Sequence, residues 1–235
     1  MRMRKKHNLD ERIAACGDIC LGWIQDRNME NRGENPTQLI DTEKIFGNKN
    51  PLWLEIGCGK GGFVQQMALK NPDINFIAVE MCRNVLVTAM ETTDREKCPN
   101  VRYVIGMAEY LEKLIPAHSA ERIFLNFSCP YPKATYVKHR LTHKCFLDIY
   151  RRLLKSGGEI HQKTDNMQLF EFSLLSFSQN DFVIKSVSLD LHNSTLVGNI
   201  NTAVTEYERM FSEKGCPIYY LEAVCRENID NSMKK

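Results

Sequence analysis

No Cys-x-x-Cys pair occurs anywhere in the sequence. The nine cysteines stand singly at positions 16, 20, 58, 82, 98, 129, 145, 216 and 225. That spacing suggests neither a zinc ribbon nor a secreted disulfide framework, and it fits a reducing cytosol. Long apolar runs are missing too: nothing approaches the roughly 18 residues that cross a bilayer, and no apolar stretch follows the basic start Arg2, Arg4, Lys5, Lys6. A soluble, cytoplasmic chain with no membrane partner is therefore expected. Excess charge of one sign is lacking, with 31 Lys and Arg against 29 Asp and Glu and a formal net charge of +2. Bulk charge alone thus identifies no nucleic-acid binder. Internal repeats and low-complexity tracts are absent.

What is present is 235 residues, 43% of them hydrophobic, enough for one substantial core and one folded domain. From position 52 short apolar runs alternate with amphipathic stretches, as in a parallel sheet covered by helices. Strands are expected near 52–56, 74–80, 101–105, 122–127, 158–163, 183–190 and 217–225. The last two are joined without a clear crossover helix, so the final strand is expected antiparallel, at or near the sheet edge. The expected fold is α/β: a doubly wound, seven-stranded, mostly parallel, Rossmann-like sheet with its last strand antiparallel. Phe63, Met67 and Leu69, and Leu141, Cys145, Ile149 and Leu153, mark helices whose apolar residues pack into the core. Residues 1–50 lack clean periodicity and contain Asn28, Asn31, Gly33, Asn35 and Pro36. They read as a basic N-terminal arm and an irregular or partly helical lead-in to a domain over 51–228, with a disordered tail over 229–235.

The segment Trp53-Leu54-Glu55-Ile56-Gly57-Cys58-Gly59-Lys60-Gly61-Gly62-Phe63 reads as a strand, a glycine loop and a helix start, where a ligand meets backbone N–H groups. Gly57, Gly59 and Gly62 satisfy G-x-G-x-x-G, and Glu80 ends the next strand about 20 residues on, suited to ribose hydroxyls. This much fits NAD equally well. Glu55 tips the balance toward a cationic methyl donor, because an acid at the strand end accepts an ammonium or sulfonium group but repels a pyrophosphate. Lys60 is followed by Gly61 and not by Ser or Thr, which excludes a phosphate-binding P-loop.

In doubly wound sheets the loop after the fourth strand faces the reactive end of the ligand. Here that loop is Asn126-Phe127-Ser128-Cys129-Pro130-Tyr131-Pro132-Lys133. Tyr131 offers a stacking face, and Lys133 opens a run through Thr135, Tyr136, Lys138, His139 and Arg140. Such a run suits RNA phosphates with aromatics interleaved, although it also suits a plain solvated face. From Pro130 to Lys155 there are seven Lys or Arg against one acid, Asp148. His139 and His143 lack a third ligand nearby, so no metal is expected. Two polar clusters, His161 to Asn166 and Thr205-Glu206-Tyr207-Glu208, offer carboxylates to the Watson–Crick edge of guanine while its N7 stays free. The plainer reading is that Asp165 and Thr205 cap helices.

From about Leu52 to Ala223 the chain resembles the bacterial tRNA (guanine-N7)-methyltransferases, a class I S-adenosylmethionine-dependent family that modifies the variable-loop guanine. The resemblance rests on Leu54 to Gly61, Asn71-Pro72, Phe124 to Ser128, Arg140-Leu141-Thr142, Gly157 to His161, Lys163-Thr164-Asp165-Asn166, Asp190-Leu191-His192 and Thr205 to Glu208. It implies S-adenosylmethionine as methyl donor, tRNA as partner of a monomer or homodimer, and 7-methylguanosine as product. It implies that Glu55, Gly57, Gly59, Glu80, Met107 and Cys129 surround the cofactor, and that Cys129 and Asp165 stand at catalytic positions. It further implies that Lys133, Asp165, Thr205, Glu206, Tyr207 and Glu208 bind the guanosine, and that Thr135, Lys138, His139 and Arg140 touch tRNA. Two departures stand out: the family usually has Asp where this chain has Met107, and Ser-Asp-Pro-Trp where it has Ser128-Cys129-Pro130-Tyr131. A thiol, mostly protonated at neutral pH, does not supply the fixed charge of an aspartate. N7 of guanine has no proton to remove, so alignment matters more than a general base. The charge delivered to the base is then left for Asp165 or Glu208 to balance.

Overall fold

Parallel strands buried on both faces are written as apolar runs, and each run singled out above forms a strand. The computed structural model describes residues 6–23, 39–196 and 203–226. In chain order the elements are α1 (Leu9–Ala14), β1 (Cys20–Trp23), α2 (Thr42–Phe46), β2 (Leu52–Ile56), α3 (Gly62–Lys70), β3 (Asn75–Glu80), α4 (Arg83–Thr92), β4 (Val101–Ile105), β5 (Ala120–Asn126), α5 (Lys144–Leu153), β6 (Leu154–Thr164), α6 (Met167–Gln179), β7 (Phe182–Ser188), α7 (Glu206–Ser212) and β8 (Tyr219–Cys225). Short 3-10 helices cover Ala108–Lys113, Ala134–His139 and Leu191–Asn193. The sheet order is β1-β4-β3-β2-β5-β6-β8-β7.

β2 pairs in parallel with β3 on one side and β5 on the other. The winding direction therefore reverses between β2 and β5, and the crevice beyond their carboxyl ends is where ligands enter such sheets. Glu55 lies near the end of β2 and Asn126 ends β5. β8 runs antiparallel as expected, but it is inserted between β6 and β7 and leaves β7 at the edge. The sheet has eight strands and not seven, because β1 adds in parallel to β4 at the opposite edge. Among the described residues the lead-in is partly helical, as expected: Leu9 and Ile13 of α1 are buried against the layer that holds α4, and Arg12 bonds Glu91 at 2.6 Å. Arg2, Arg4, Lys5, the stretch 28–36 and the tail 229–235 lie outside the described residues.

One core layer joins Leu54, Ile77, Val104 and Ile123 to α5, α6 and the 3-10 helix at 108–113. The other joins Trp53, Phe76 and Tyr103 to α1, α3 and α4. Two expected core residues point outward instead. Leu69 is 53% exposed, lying about 200° around the helix from buried Met67. Cys145 is also exposed, since α5 turns Phe146, Ile149, Tyr150 and Leu153 inward. Among the described residues, no helix is long and apolar enough to cross a membrane.

Candidate active site

A cavity of about 850 Å³ opens at the carboxyl ends of the strands. Its floor is the glycine loop, where Gly57 and Gly59 adopt φ of 83° and 56°, a region L side chains avoid. A Cβ at either position would meet nothing within 4 Å, so the missing side chains leave open room for a ligand. Glu80 is fixed by the same loop: Gly59 N donates to its Oε2 at 3.2 Å and Cys82 N to its Oε1 at 2.8 Å. Glu55 is 3% exposed and accepts from Asn126 Nδ2 at 3.1 Å. Burial pushes its carboxyl up to about 7, against the opposing pull of the Asn126 hydrogen bond. Its Oε2 is buried in the cavity wall without a hydrogen-bond partner of good geometry. A buried carboxylate oxygen with at most a weak backbone contact from Val64, in a wall that also holds Glu80, fits a cationic, N–H-bearing ligand and disfavours a pyrophosphate. S-adenosylmethionine meets that demand, and Met107 and Cys129 lie on the same wall.

The loop after β5 carries two non-glycine residues with left-handed backbone, Phe127 at φ 49° and Tyr131 at φ 42°, each costing about 1–2 kcal/mol. Strain of this kind persists only where neighbours over-determine it. Phe127 N donates to Lys163 O at 2.8 Å. Arg140 donates from Nε to Pro130 O at 3.0 Å and from Nη2 to Tyr131 O at 3.2 Å, with its guanidinium 4.6 Å from the Phe172 ring. Arg140, expected on the tRNA surface, is instead 8% exposed and clips the acceptor loop from within. The clip leaves Tyr131, Tyr136 and His139 as a cluster of rings with centroids 5.7 to 6.5 Å apart on the cavity wall. Lys133, Thr135 and Lys138 are exposed nearby but off that wall.

The basic excess along α5 is also corrected. Lys144 pairs with Asp148 at 2.7 Å, Lys155 with Glu121 at 2.8 Å, Arg151 with Asp181 and Arg152 with Glu112. Three of those four acids come from outside the basic stretch, so the sequence count did not include them.

Thr205, Glu206 and Tyr207 form the remaining wall. Thr205 and Glu208 complete a reciprocal capping box at the start of α7. Glu208 itself is 1% exposed, stands off the wall and is held by Lys163 and His192, so it is not open to a base. Asp165 is off the wall as well. It caps nothing: the cap of α6 is Asn166, which accepts from Leu169 N at 2.8 Å. Asp165 and Glu208 do not line the cavity, whereas Glu55, Glu80, Glu109 and Glu206 do. The sequence reading missed Glu109, on the 3-10 helix two residues past Met107. It also missed the hydroxyl of Ser128, buried without a partner, and the support Asn126 gives Glu55, which only the pairing of β2 with β5 brings about. Among the described residues, Glu159, His161 and Glu222 bring ligand atoms within 4.8 Å of one another. Glu159 of this group is paired with Arg122 at 2.6 Å and Lys185 at 3.0 Å, and His143 caps α5.

A doubly wound sheet with its switch point over a glycine loop, an acid at the end of the next strand and an antiparallel last strand defines a Rossmann-like methyltransferase of the S-adenosylmethionine-dependent class. Solved structures similar in fold include the 16S rRNA methyltransferase KamB, with TM-score 0.57 and 13% identity over 80% of this chain and 95% of that one. The antibiotic-resistance methyltransferase Kmr has TM-score 0.54 and 18% identity over 78% and 91%. Residues 49–221 match the family model described as putative methyltransferase. The tRNA (guanine-N(7)-)-methyltransferase of Listeria monocytogenes is 50% identical over 205 residues, 86% of this chain and 94% of the relative. The Bacillus licheniformis protein of the same name is 41% identical over 227 residues, 96% and 100% of the two chains. The chain belongs to the tRNA (guanine-N(7)-)-methyltransferase family.

Proposed function

We propose that the chain methylates N7 of a guanine in tRNA, the variable-loop guanosine, using S-adenosylmethionine and forming 7-methylguanosine. The observation that carries this reading is the continuity of one cavity from Glu55 and Glu80, which suit a cationic nucleoside, to Tyr131, His139 and Tyr207, which suit a base. When bound, the cofactor supplies a methyl group on a positively charged sulfur. Glu55 Oε2 accepts the cationic end, Glu80 the ribose hydroxyls, and Gly57 and Gly59 allow the close approach. At the other end the aromatic rings hold an extruded guanine flat, the recognition that chemistry on a stacked base requires. N7 presents a lone pair, so these residues align it and exclude water and no side chain takes a proton. Met107 and Cys129 pack the junction of the two halves. Thr205, Glu206 and Tyr207 contact the guanosine, while Lys133, Thr135, Lys138 and His139 meet the RNA around it.

We take 51–228 as the catalytic domain, acting as monomer or homodimer in the cytoplasm. Nine free thiols support that setting. The test is transfer of labelled methyl from S-adenosylmethionine to unmodified tRNA, with the product located by nucleoside mass spectrometry. 7-Methylguanosine in the variable loop is expected. Cofactor bound without transfer, or methyl on an exocyclic amine such as N6 of adenine, would overturn the reading.

A further inference from the structure

Lys163 and Glu208 form the most deeply buried ion pair among the described residues. Their side chains are 4% and 1% exposed, and Nζ lies 2.9 Å from one carboxylate oxygen and 3.1 Å from the other. The same Nζ donates to Ala203 O at 3.2 Å, and His192 Nε2 lies 3.3 Å from Glu208 Oε1. Burial pushes the Lys163 ammonium down from its ordinary value while the Glu208 carboxylate pulls it back. Removing two charges from water offsets much of what their attraction returns, and apolar pairs of similar size often stabilise as well. Stability alone is therefore a poor reason for this pair, and its position offers another.

Lys163 is one residue from the end of β6, and its carbonyl anchors Phe127 in the acceptor loop. Glu208 is the third residue of α7 and half of the capping box that fixes Thr205. Thr205, Glu206 and Tyr207 form one side of the cavity. A seven-residue helix is too short to hold itself. Its other ties include the packing of Phe211 on the buried Leu191, Ile218 and Tyr220, the exposed pair Lys60 to Glu206, the exposed bond from Gln66 to Val204 O, and stacking of Phe127 on Tyr207 and Phe211 at 6.3 and 6.2 Å. Exposed pairs contribute little, and stacked rings can slide. The two-oxygen grip of Lys163 is the buried ionic tie of α7 to β6, and together with the packing of Phe211 it restrains how α7 is rotated. The motifs Lys163-Thr164-Asp165-Asn166, Asp190-Leu191-His192 and Thr205 to Glu208, far apart in sequence, converge here on one carboxylate.

We propose that Lys163 and Glu208 are positioning residues: their buried pair, braced by His192, sets the pose of Thr205, Glu206 and Tyr207 against the acceptor end of the cavity. The proposal rests on the function proposed above. Glu208 serves the target base through its neighbours and does not touch it.

The test compares full-length wild type with Lys163→Met and Lys163→Met/Glu208→Met, the second of which leaves no unpaired buried charge. Four quantities are read: Tm, S-adenosylhomocysteine affinity, KM and kcat on tRNA, and amide hydrogen exchange over Glu206–Ser212. For the double variant we expect a Tm lowered by no more than the loss of half a capping box produces, cofactor-product affinity unchanged within about twofold, faster exchange in α7 and KM for tRNA raised about tenfold or more, as small misplacement of a binding wall produces. Lys163→Met alone should lower Tm further. A double variant with wild-type exchange, or with faster exchange but wild-type KM, overturns the proposal and leaves a purely structural pair. If wild type itself transfers no methyl to tRNA, it is the proposed function that fails, and the exchange comparison alone then decides whether the pair fixes α7.

Discussion

Glu55 sits where two requirements oppose each other. Its carboxyl, ordinarily near 4.5, is pushed up to about 7 by burial, so the ligand-free fold favours the neutral form while a cationic cofactor favours the ionised one. The folded protein holds its proton more tightly than the unfolded chain. Stability linked to Glu55 is therefore complete below about pH 4.5, falls as pH rises, and by pH 7 and above is reduced by about 3 kcal/mol at most. Glu55→Gln should accordingly raise the Tm of ligand-free protein at about pH 8, with the gain vanishing toward pH 4.5. Cofactor affinity should move the other way: in wild type the Kd weakens as pH drops below about 7, up to about tenfold per unit, and in Glu55→Gln it is uniformly weak. Calorimetric titrations from about pH 6 to pH 8 check this, and a flat wild-type profile would refute the role of Glu55 Oε2. Cys129 lies on the same wall in place of the family's aspartate. Because N7 has no proton to lose, Cys129→Asp should change single-turnover rate by less than about tenfold. A gain of several hundredfold would mean that a carboxylate at this position carries catalysis.

The acceptor loop depends on an element outside it. The fork of Arg140 holds two consecutive carbonyls, Pro130 O and Tyr131 O, beside a left-handed Tyr131. Lysine, a single point charge, does not reproduce that geometry. Arg140→Lys should therefore lower stability by about 1–3 kcal/mol and raise KM for tRNA, read from thermal denaturation and initial rates. An unchanged KM would free the loop of any dependence on its clip. Tyr136 gives the complementary case, being 47% exposed and packed on Tyr131 and His139. Tyr136→Ala should leave Tm nearly unchanged and weaken tRNA binding by about 1–3 kcal/mol, and binding equal to wild type would remove the stacking role. These two residues also show what the sequence made legible. Local patterns read well: Leu52–Ile56 and Val101–Ile105 form strands at the expected bounds, and the glycine loop places Glu55, Gly57, Gly59 and Glu80 on the wall. β1 escaped notice because it is four residues long, includes Gly22 and is a strand only by virtue of the free edge of β4. Arg140 and Glu208 were misplaced for a related reason. A charged letter does not reveal its partner, and Lys163 lies 45 positions from Glu208.

Among the described residues, many charges are paired internally. The formal net charge is +2; the basic residues of α5 are paired with Asp148, Asp181 and Glu112, and Lys155 at the start of β6 with Glu121. Paired charges cancel at distances beyond the Debye length of about 8 Å at physiological salt, so α5 presents little field to an approaching phosphate backbone. Among the described residues, Lys133 and Lys138 beside the cavity mouth are in no such pair. Affinity for tRNA should then come from few phosphate contacts and from stacking, with a shallow dependence on salt. Each phosphate contact contributes about −0.7 to −0.9 to the slope of log affinity against log salt. Lys138→Ala should therefore reduce the slope by about one, whereas Lys155→Ala should leave it unchanged, because its charge is already matched by Glu121. Filter binding of one tRNA to both variants at a series of salt concentrations makes the comparison. An equal loss of slope in the two variants would mean that the Lys155–Glu121 pair opens to receive the backbone, and that the RNA footprint extends past α5 instead of centring on the cavity mouth.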